Sequence, residues 1–384
     1  MIRNKELELY IHIPFCVKKC AYCDFLSGPA TEECIEQYVS SLVKEMEAHK
    51  ESVCGYEVVS IFLGGGTPSV LNEEQVKRLF ETIRKNFVLR EDAEITMEAN
   101  PGTVTKEKLL AYKEAGINRL SFGLQSTNDE ELKELGRIHT YETFLKNYKL
   151  ARECGFRNIN VDLISAIPKQ TVESWKVSLE QVIALEPEHI STYSLIVEEG
   201  TPFAALYGEG GPREKELPDE MVEREIYYQT EEILSRAGYQ RYEISNYAKP
   251  GKECKHNLGY WERREYLGIG IGAASLMGNI RYKNVDNIEF YVEHSHDLQE
   301  IQEEKEELSV KAQMEEFFFL GLRKMEGVSA KEFKETFDCD VQEHYGTEIK
   351  KLTNEGLLKE NDGRLMLTKK GIDISNYVFA EFLD

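Results

Sequence analysis

The sequence predicts an α/β protein: a partial, laterally open barrel of six βα units, a (β/α)6 arrangement, followed by a small C-terminal helical, winged-helix-like domain. Three observations predict this. Between residues 7 and 196, short runs rich in β-branched and aromatic residues alternate with longer helical patterns, the signature of repeated βα units and a parallel sheet. Six such units fall short of the eight that close a barrel. From about Val310 the pattern changes to three helices and a hairpin. The expected boundaries are 1–240 for the barrel, 241–305 for a connecting region and 306–384 for the C-terminal domain.

The strand candidates, in order, are Leu7–Ile13, Glu57–Leu63, Glu94–Glu98, Arg119–Gly123, Asn158–Ile164 and His189–Leu195. Ligands of parallel α/β folds sit at the carboxyl ends of the strands, so polar or glycine-rich residues are expected there. A cysteine loop follows the first run, Gly64-Gly-Gly-Thr-Pro68 the second, and Glu98-Ala-Asn-Pro-Gly102 closes the third. Gln125 follows the fourth, and Asp162 lies near the end of the fifth. Each taken alone reads equally well as a turn or cap. Five at one rim point to a shared site, where glycines admit a ligand close to the backbone and acidic or amide side chains bind an ammonium or ribose hydroxyls.

The cysteines of that loop, Cys16, Cys20 and Cys23, are spaced C-x3-C-x2-C. Thiolates crowded on one loop behind a strand make a pocket for a metal centre, and three ligands leave one position open. A structural zinc site wants four ligands, usually as two close pairs, and Cys34, Cys54, Cys154, Cys254 and Cys339 are scattered singly. A disulfide framework is not expected in a long chain that opens with polar residues.

Taken together, Tyr10-Ile-His-Ile-Pro-Phe-Cys-Val-Lys-Lys-Cys-Ala-Tyr-Cys-Asp-Phe25, the Gly64–Pro68 turn, Ser121-Phe-Gly-Leu-Gln125, Val161-Asp-Leu-Ile164 and Glu199-Gly-Thr-Pro202 resemble the oxygen-independent coproporphyrinogen III oxidase family of radical S-adenosylmethionine (SAM) proteins. The resemblance spans nearly the whole chain. It implies a [4Fe-4S] cluster held by Cys16, Cys20 and Cys23, with SAM on the remaining iron. It also implies SAM contacts from Tyr10, Gly65, Gly66, Thr67, Glu98, Gln125, Arg137 and Asp162, with Phe15 and Tyr22 packed about the cluster.

Within that family the sequence departs from the oxidases. Their extra cysteine, two positions after the third, is Phe25 here, and their long N-terminal extension is missing. Both departures resemble the haem-chaperone branch, as does Cys254-Lys-His-Asn-Leu-Gly-Tyr-Trp261, which contains that branch's H-N-x-x-Y-W signature. The resemblance implies haem binding by His256, Asn257, Tyr260 and Trp261. Imidazole is a good axial ligand, and Tyr260 with Trp261 could wall a porphyrin; a histidine on a loop is also commonly a hydrogen-bonding residue, and a Tyr-Trp pair a packing pair. Arg263, Arg264 and Arg281 suit propionates or surface ion pairs.

Two readings follow from the resemblance. One is a chaperone binding cluster, SAM and haem and delivering haem to haemoproteins. The other is an oxidase that cleaves SAM reductively and decarboxylates coproporphyrinogen III to protoporphyrinogen IX. Both imply a low-potential electron donor. A zinc-stabilised interaction protein is a third, different class.

With 69 acidic against 47 basic side chains, a net charge of -22, the chain has no basic stripe to replace phosphate counterions, so nucleic acid is not an expected partner. No run of about 20 apolar residues spans a bilayer, and a cytoplasmic location is expected. Peripheral membrane contact and a homodimer stay open. Glu303–Leu308 reads as a solvated loop or helix start. Gly268-Ile-Gly-Ile-Gly-Ala273 matches G-x-G-x-x-A, but Gly278-Asn279 interrupts the helix a dinucleotide site needs; a strand or turn close to another backbone, or to SAM, is the better reading. In the C-terminal segment, helices are expected over Val310–Lys324, after Gly327-Val-Ser and over Val341–Asn354, then a hairpin at Asn361-Asp-Gly363.

Overall fold

The computed structural model describes residues 5–383. Six parallel strands carry the frame: β1 (Lys5–Ile13), β2 (Tyr56–Gly65), β3 (Leu89–Ala99), β4 (Arg119–Gln125), β5 (Ile159–Ser165) and β6 (His189–Ser194). They lie side by side in sequence order, each joined to the next through at least one helix. The helices start at side-chain caps that satisfy otherwise orphaned N–H groups, among them Thr31, Thr105, Thr140 and a reciprocal Asn72–Gln75 box.

The strands beyond residue 240 extend this sheet. β8 (Asn246–Ala248) adds antiparallel to β6, and β7 (Gln240–Arg241) adds antiparallel to β8. β9 (Tyr266–Ile269) adds parallel to β1, followed by β10 (Ala274–Met277), β11 (Ile280–Asn284) and β12 (Gln302–Glu307). The mixed sheet of twelve strands ends at β12 on one side and β7 on the other, and it is not closed.

Side chains on successive residues face opposite sides, and the two faces differ in chemistry. Leu7, Leu9, Ile11 and Ile13 of β1 are fully buried among the helices. Glu8, Tyr10 and His12 point the other way. The register carries that inner face across the sheet: Glu8 lies beside Ser60, Ser60 beside Glu94, Thr96 beside Arg119, Glu98 beside Ser121, Ser121 beside Asn160, and Asn160 beside His189. The lumen of the open barrel is thus lined by polar and ionisable groups.

Glu303–Leu308, expected as a loop or helix start, is instead mostly strand β12. Cross-strand charge explains the difference: Arg281 pairs with Glu306 and Lys283 with Glu303 in register, and Lys283 Nζ reaches Glu304 at 3.0 Å. Gly268–Ala273 forms β9 and the tight turn after it. A Cβ at Gly268 would strike the Ala274 carbonyl, and Gly270 has φ +101° against the Tyr38 hydroxyl, so backbone approach explains these glycines.

The C-terminal segment has its own core, in which Phe318 stacks on Phe382 with ring centroids 4.3 Å apart among Phe333, Leu352 and Val378. Its helices are Val310–Gly321, Ala330–Phe337 and Val341–Asn354, with two short ones, Lys369–Asp373 and Ser375–Ala380, after the hairpin. The hairpin strands β14 (Leu358–Asn361) and β15 (Arg364–Leu367) turn through Asp362 and Gly363, both at positive φ. β13 (Val328–Ser329) completes a three-stranded sheet. Buried Glu316 joins this segment to the main sheet through Arg263 and Arg281, each at 2.6 Å. No helix among the described residues is long and apolar enough to cross a membrane.

Candidate functional site

The loop after β1 is tied at both ends. Cys16 N–H donates to the Gly28 carbonyl and Gly28 N–H to that of Pro14, at 2.9 and 3.0 Å. Midway, Ala21 N–H donates to Leu135 and its carbonyl accepts from Phe203. Phe15 anchors the base, buried edge-on against Tyr38. This bracing turns Cys16, Cys20 and Cys23 towards one cavity of about 470 Å³ at the carboxyl ends of the strands. All eight cysteines of the chain are free thiols.

The Gly64–Pro68 turn forms the next wall. Gly65 has φ +109°, and a Cβ at Gly66 would lie 2.7 Å from the Phe15 carbonyl and 3.0 Å from Cys16 Sγ. Only glycine lets this turn approach the cysteine loop so closely. From there a hydrogen-bonded chain links two of the thiols. Thr67 Oγ1 donates to Cys16 Sγ at 3.5 Å, Asn100 Nδ2 to Thr67 at 2.7 Å, and Arg137 Nη2 to Asn100 Oδ1 and the Gly123 carbonyl, both at 2.7 Å. Arg137 Nη1 then reaches Cys20 Sγ at 3.4 Å. The cation lies where thiolate charge would gather, and its fork ties the cysteine loop and the Asn100 loop to β4.

Two carboxyl groups shape the deeper wall. Asp162 accepts from Ser121 Oγ at 2.9 Å and Asn160 Nδ2 at 2.8 Å, and burial nonetheless raises its pKa. Glu98 is pushed up to about 8, first by burial and then by the charge of Asp162, while the Gly65 N–H pulls it back. Burial also raises the Tyr22 phenol against the pull of Arg137.

The structure brings Cys16, Cys20, Cys23, Tyr22, Gly65, Gly66, Thr67, Glu98, Gln125, Arg137 and Asp162 to this cavity. Tyr10 and Phe15 are not on its lining: Tyr10 bonds His12 Nδ1 at 2.9 Å in the lumen, and Phe15 packs behind the loop. Asn100, Tyr193, Ser194 and Ile196 line it as well and were not among the expected site residues. Extending the strand-end rule to the sixth strand would have found the last three.

His256, Asn257, Tyr260 and Trp261 lie elsewhere. They sit on a helix, Lys255–Trp261, and not on a loop. His256 is 2% exposed and stacks on Phe62 of β2, with Nδ1 2.8 Å from Ser60 Oγ and Nε2 3.2 Å from the Tyr260 hydroxyl. Burial, followed by the charges of Arg119 and Arg264, lowers its pKa to about 3. Tyr260 faces Tyr266 edge-on, whereas the Trp261 ring lies under the Arg323 guanidinium at 4.8 Å, so the two rings meet different neighbours. Arg263, Arg264 and Arg281 are engaged in ion pairs with Glu316, Glu6, Glu8 and Glu262.

Comparison with known proteins decides the family. The radical SAM superfamily matches residues 10–182, and the HemN C-terminal domain matches residues 308–374. The heme chaperone HemW of Lactococcus lactis is 39% identical over 99% of this chain and 98% of that protein, and the one of Bacillus subtilis is 38% identical over 97% and 98%. The chain belongs to the HemW family of radical SAM proteins. Among solved structures, coproporphyrinogen III oxidase (HemN) of Escherichia coli superimposes with a TM-score of 0.86 at 25% identity, covering 100% of this chain and 91% of that one. The HemW fold is thus the α/β radical SAM fold with a C-terminal helical domain.

Membership in the superfamily implies a [4Fe-4S] cluster and SAM. The donor set of this chain fits them. Three free thiols face one cavity, a cation stands beside one of them, and the glycine turn after β2 lies directly against the cysteine loop with no side chain between.

Proposed function

We propose that this protein binds haem and hands it to acceptor haemoproteins, using a cluster-bearing cavity in its open barrel. The observation that carries this reading is the rim of that cavity. Phe25, Tyr193 and Ile196 are 63%, 42% and 67% exposed there, above a polar floor. Exposed apolar side chains gathered at a cavity mouth mark a binding surface, and a flat macrocycle with an apolar face and charged propionates suits that division. Lys18 on the same wall offers a cation to a propionate.

In this reading Cys16, Cys20 and Cys23 hold the [4Fe-4S] cluster, and Arg137 steadies Cys20. Gly65, Gly66 and Thr67 present backbone and hydroxyl to the amino-acid end of SAM, while Glu98 and Asp162 meet its polar groups deeper in the cavity. When bound, the cluster supplies one-electron chemistry that draws on a low-potential donor. A reducing, cytoplasmic setting keeps the thiols free. Full-length likeness to the oxidase structure favours a second reading, SAM-dependent oxidation of coproporphyrinogen III in the same cavity.

Anaerobic reconstitution with iron and sulfide, then haem titration followed by absorbance, tests both. The same preparation is challenged with an apo-haemoprotein and with coproporphyrinogen III. Saturable haem binding and transfer without conversion is the expected result. SAM-dependent decarboxylation without stable haem binding would sink the chaperone reading.

A further inference from the structure

The H-N-x-x-Y-W motif is not on the cavity that the function uses, and its histidine is sealed inside the barrel. Its helix closes the lumen at the amino-terminal end of the strands, opposite the cysteine loop. Contact there is direct: a Cβ at Gly259 would collide with the Glu8 carboxylate. Both ring nitrogens of His256 already have partners, and a neutral imidazole has a single lone pair to give to iron. A porphyrin could reach that lone pair only if the Lys255–Trp261 helix left the barrel.

The same helix begins a column of hydrogen bonds that ends at the cavity. The His256 N–H and the Cys254 thiol both donate to Glu94 Oε1, each at 3.4 Å. Cys254 N–H donates to the Tyr242 hydroxyl at 3.3 Å, and Tyr242 contacts His189 Nε2 at 2.8 Å. His189 Nδ1 lies 2.6 Å from Asn160 Oδ1, which can only accept; the network therefore assigns the proton to Nδ1 and leaves Nε2 to accept from Tyr242. Asn160 Nδ2 then donates to Asp162 and to Ser121 Oγ, and Ser121 donates to the other oxygen of Asp162. Arg119, 2% exposed, supplies the buried positive charge between Glu94 and Asp162. From the Cys254 N–H onward each donor points towards Asp162, so a shift of Cys254 at the floor alters how Asp162 is held at the cavity.

We infer that His256 is a positioning residue of the barrel floor: its imidazole seats the Lys255–Trp261 helix against Ser60, which holds the helix start where Cys254 and the His256 N–H share Glu94, and the column from Cys254 through Tyr242, His189 and Asn160 then orients Asp162 in the cavity, without His256 ligating haem iron. This rests on the proposed use of the cavity by SAM, but not on haem carriage.

The test uses the full chain with four readouts: SAM affinity of the reconstituted protein, the haem absorbance spectrum, thermal unfolding, and residue-resolved alkylation of Cys254 with and without haem. His256→Ala and Tyr242→Phe should each weaken SAM binding about 3- to 10-fold, the size of one or two lost hydrogen bonds. His256→Gln, which can still meet Ser60 and Tyr260 but is a poor iron ligand, should restore SAM affinity and keep the wild-type haem spectrum. Cys254, 1% exposed, should stay unalkylated when haem is added. Loss of a histidine-ligated haem spectrum in both His256 variants with SAM affinity unchanged, or alkylation of Cys254 on haem addition, would overturn the assignment. Should His256→Ala fail to fold, Tyr242→Phe carries the SAM measurement alone, and wild-type affinity in it overturns the column. Absence of haem binding by the wild type would count against haem carriage, and the SAM measurements would still decide the role of His256.

Discussion

The guanidinium of Arg137 stands 3.4 Å from the sulfur of Cys20, and its other nitrogen ties Asn100 to the Gly123 carbonyl. One side chain therefore sets the position of a cluster thiol relative to the ends of two strands. Arg137→Met should lower stability by about 1–3 kcal/mol, because two partly buried acceptors lose a charged donor together. Arg137→Lys keeps the charge and loses the fork, so it should recover only part of that loss. Urea unfolding of the three proteins measures both, and equal midpoints for wild type and the methionine variant would contradict the assignment.

Gly66→Ala tests the close approach of the glycine turn to the cysteine loop. A methyl group 2.7 Å from the Phe15 carbonyl must displace one of the two segments, at about 1–3 kcal/mol. Iron and acid-labile sulfide per chain after reconstitution should fall well below wild type. Gly66 is not at positive φ, so its cost is steric; Gly55→Ala, in open space at φ +87°, shows for comparison what backbone strain costs by itself.

Glu98 gives the pH dependence. Its folded pKa of about 8 lies above its ordinary value of 4.5, so between those values the folded state holds a proton that the unfolded chain has lost. Stability should therefore decline as pH rises from about 4.5 to about 8, the reverse of a salt-bridged carboxylate. In Glu98→Gln this component disappears, and the variant should gain on the wild type steadily from pH 5 to pH 8.5 in urea unfolding of the SAM-free protein. Parallel curves for the two would refute it.

Glu316 joins the C-terminal core to the main sheet through two arginines. Glu316→Gln leaves Arg263 and Arg281 without their anion. Arg281 is partly exposed and can rehydrate, so the expected loss is about 2–3 kcal/mol, towards the low end for a broken buried pair. Limited proteolysis should show faster cleavage between β12 and the Val310–Gly321 helix. An unchanged cleavage rate would show that Glu316 does not fasten the two cores.

Much of the barrel could be read from the chain because its strands alternate. A parallel strand covered on both faces reads as a continuous apolar run, yet Leu7-Glu-Leu-Tyr-Ile-His-Ile13 and Arg119-Leu-Ser-Phe-Gly-Leu-Gln125 place polar residues at every second position. Those positions are the lumen. The strand-end polar residues were legible for the same reason, since Gly65, Gly66, Thr67, Glu98, Gln125 and Asp162 lie within a few positions of a strand end, whereas Cys20, Cys23 and Arg137, farther along their loops, were legible only from the cysteine spacing and the family likeness. The position of the H-N-x-x-Y-W motif was not legible. Its seven-residue helix is too short for a periodic pattern, and the partners of His256, at positions 60 and 94, are remote in sequence. β12 escaped because a strand of nearly pure charge carries no apolar alternation and is held by its cross-strand partners.

That strand also faces a hazard common to open sheets. Its outer side presents unpaired backbone groups, a template on which a second chain could add a strand. Glu303, Glu304, Glu306 and Glu307 are exposed there, and Glu304, at positive φ, breaks the regular ladder. Lys305 offsets one of the four carboxylates, so two approaching copies would bring about six net negative charges together, within a protein that already carries -22. The acidic run thus keeps the growing end of the sheet from polymerising, and acidification that neutralises it should be what makes this protein aggregate.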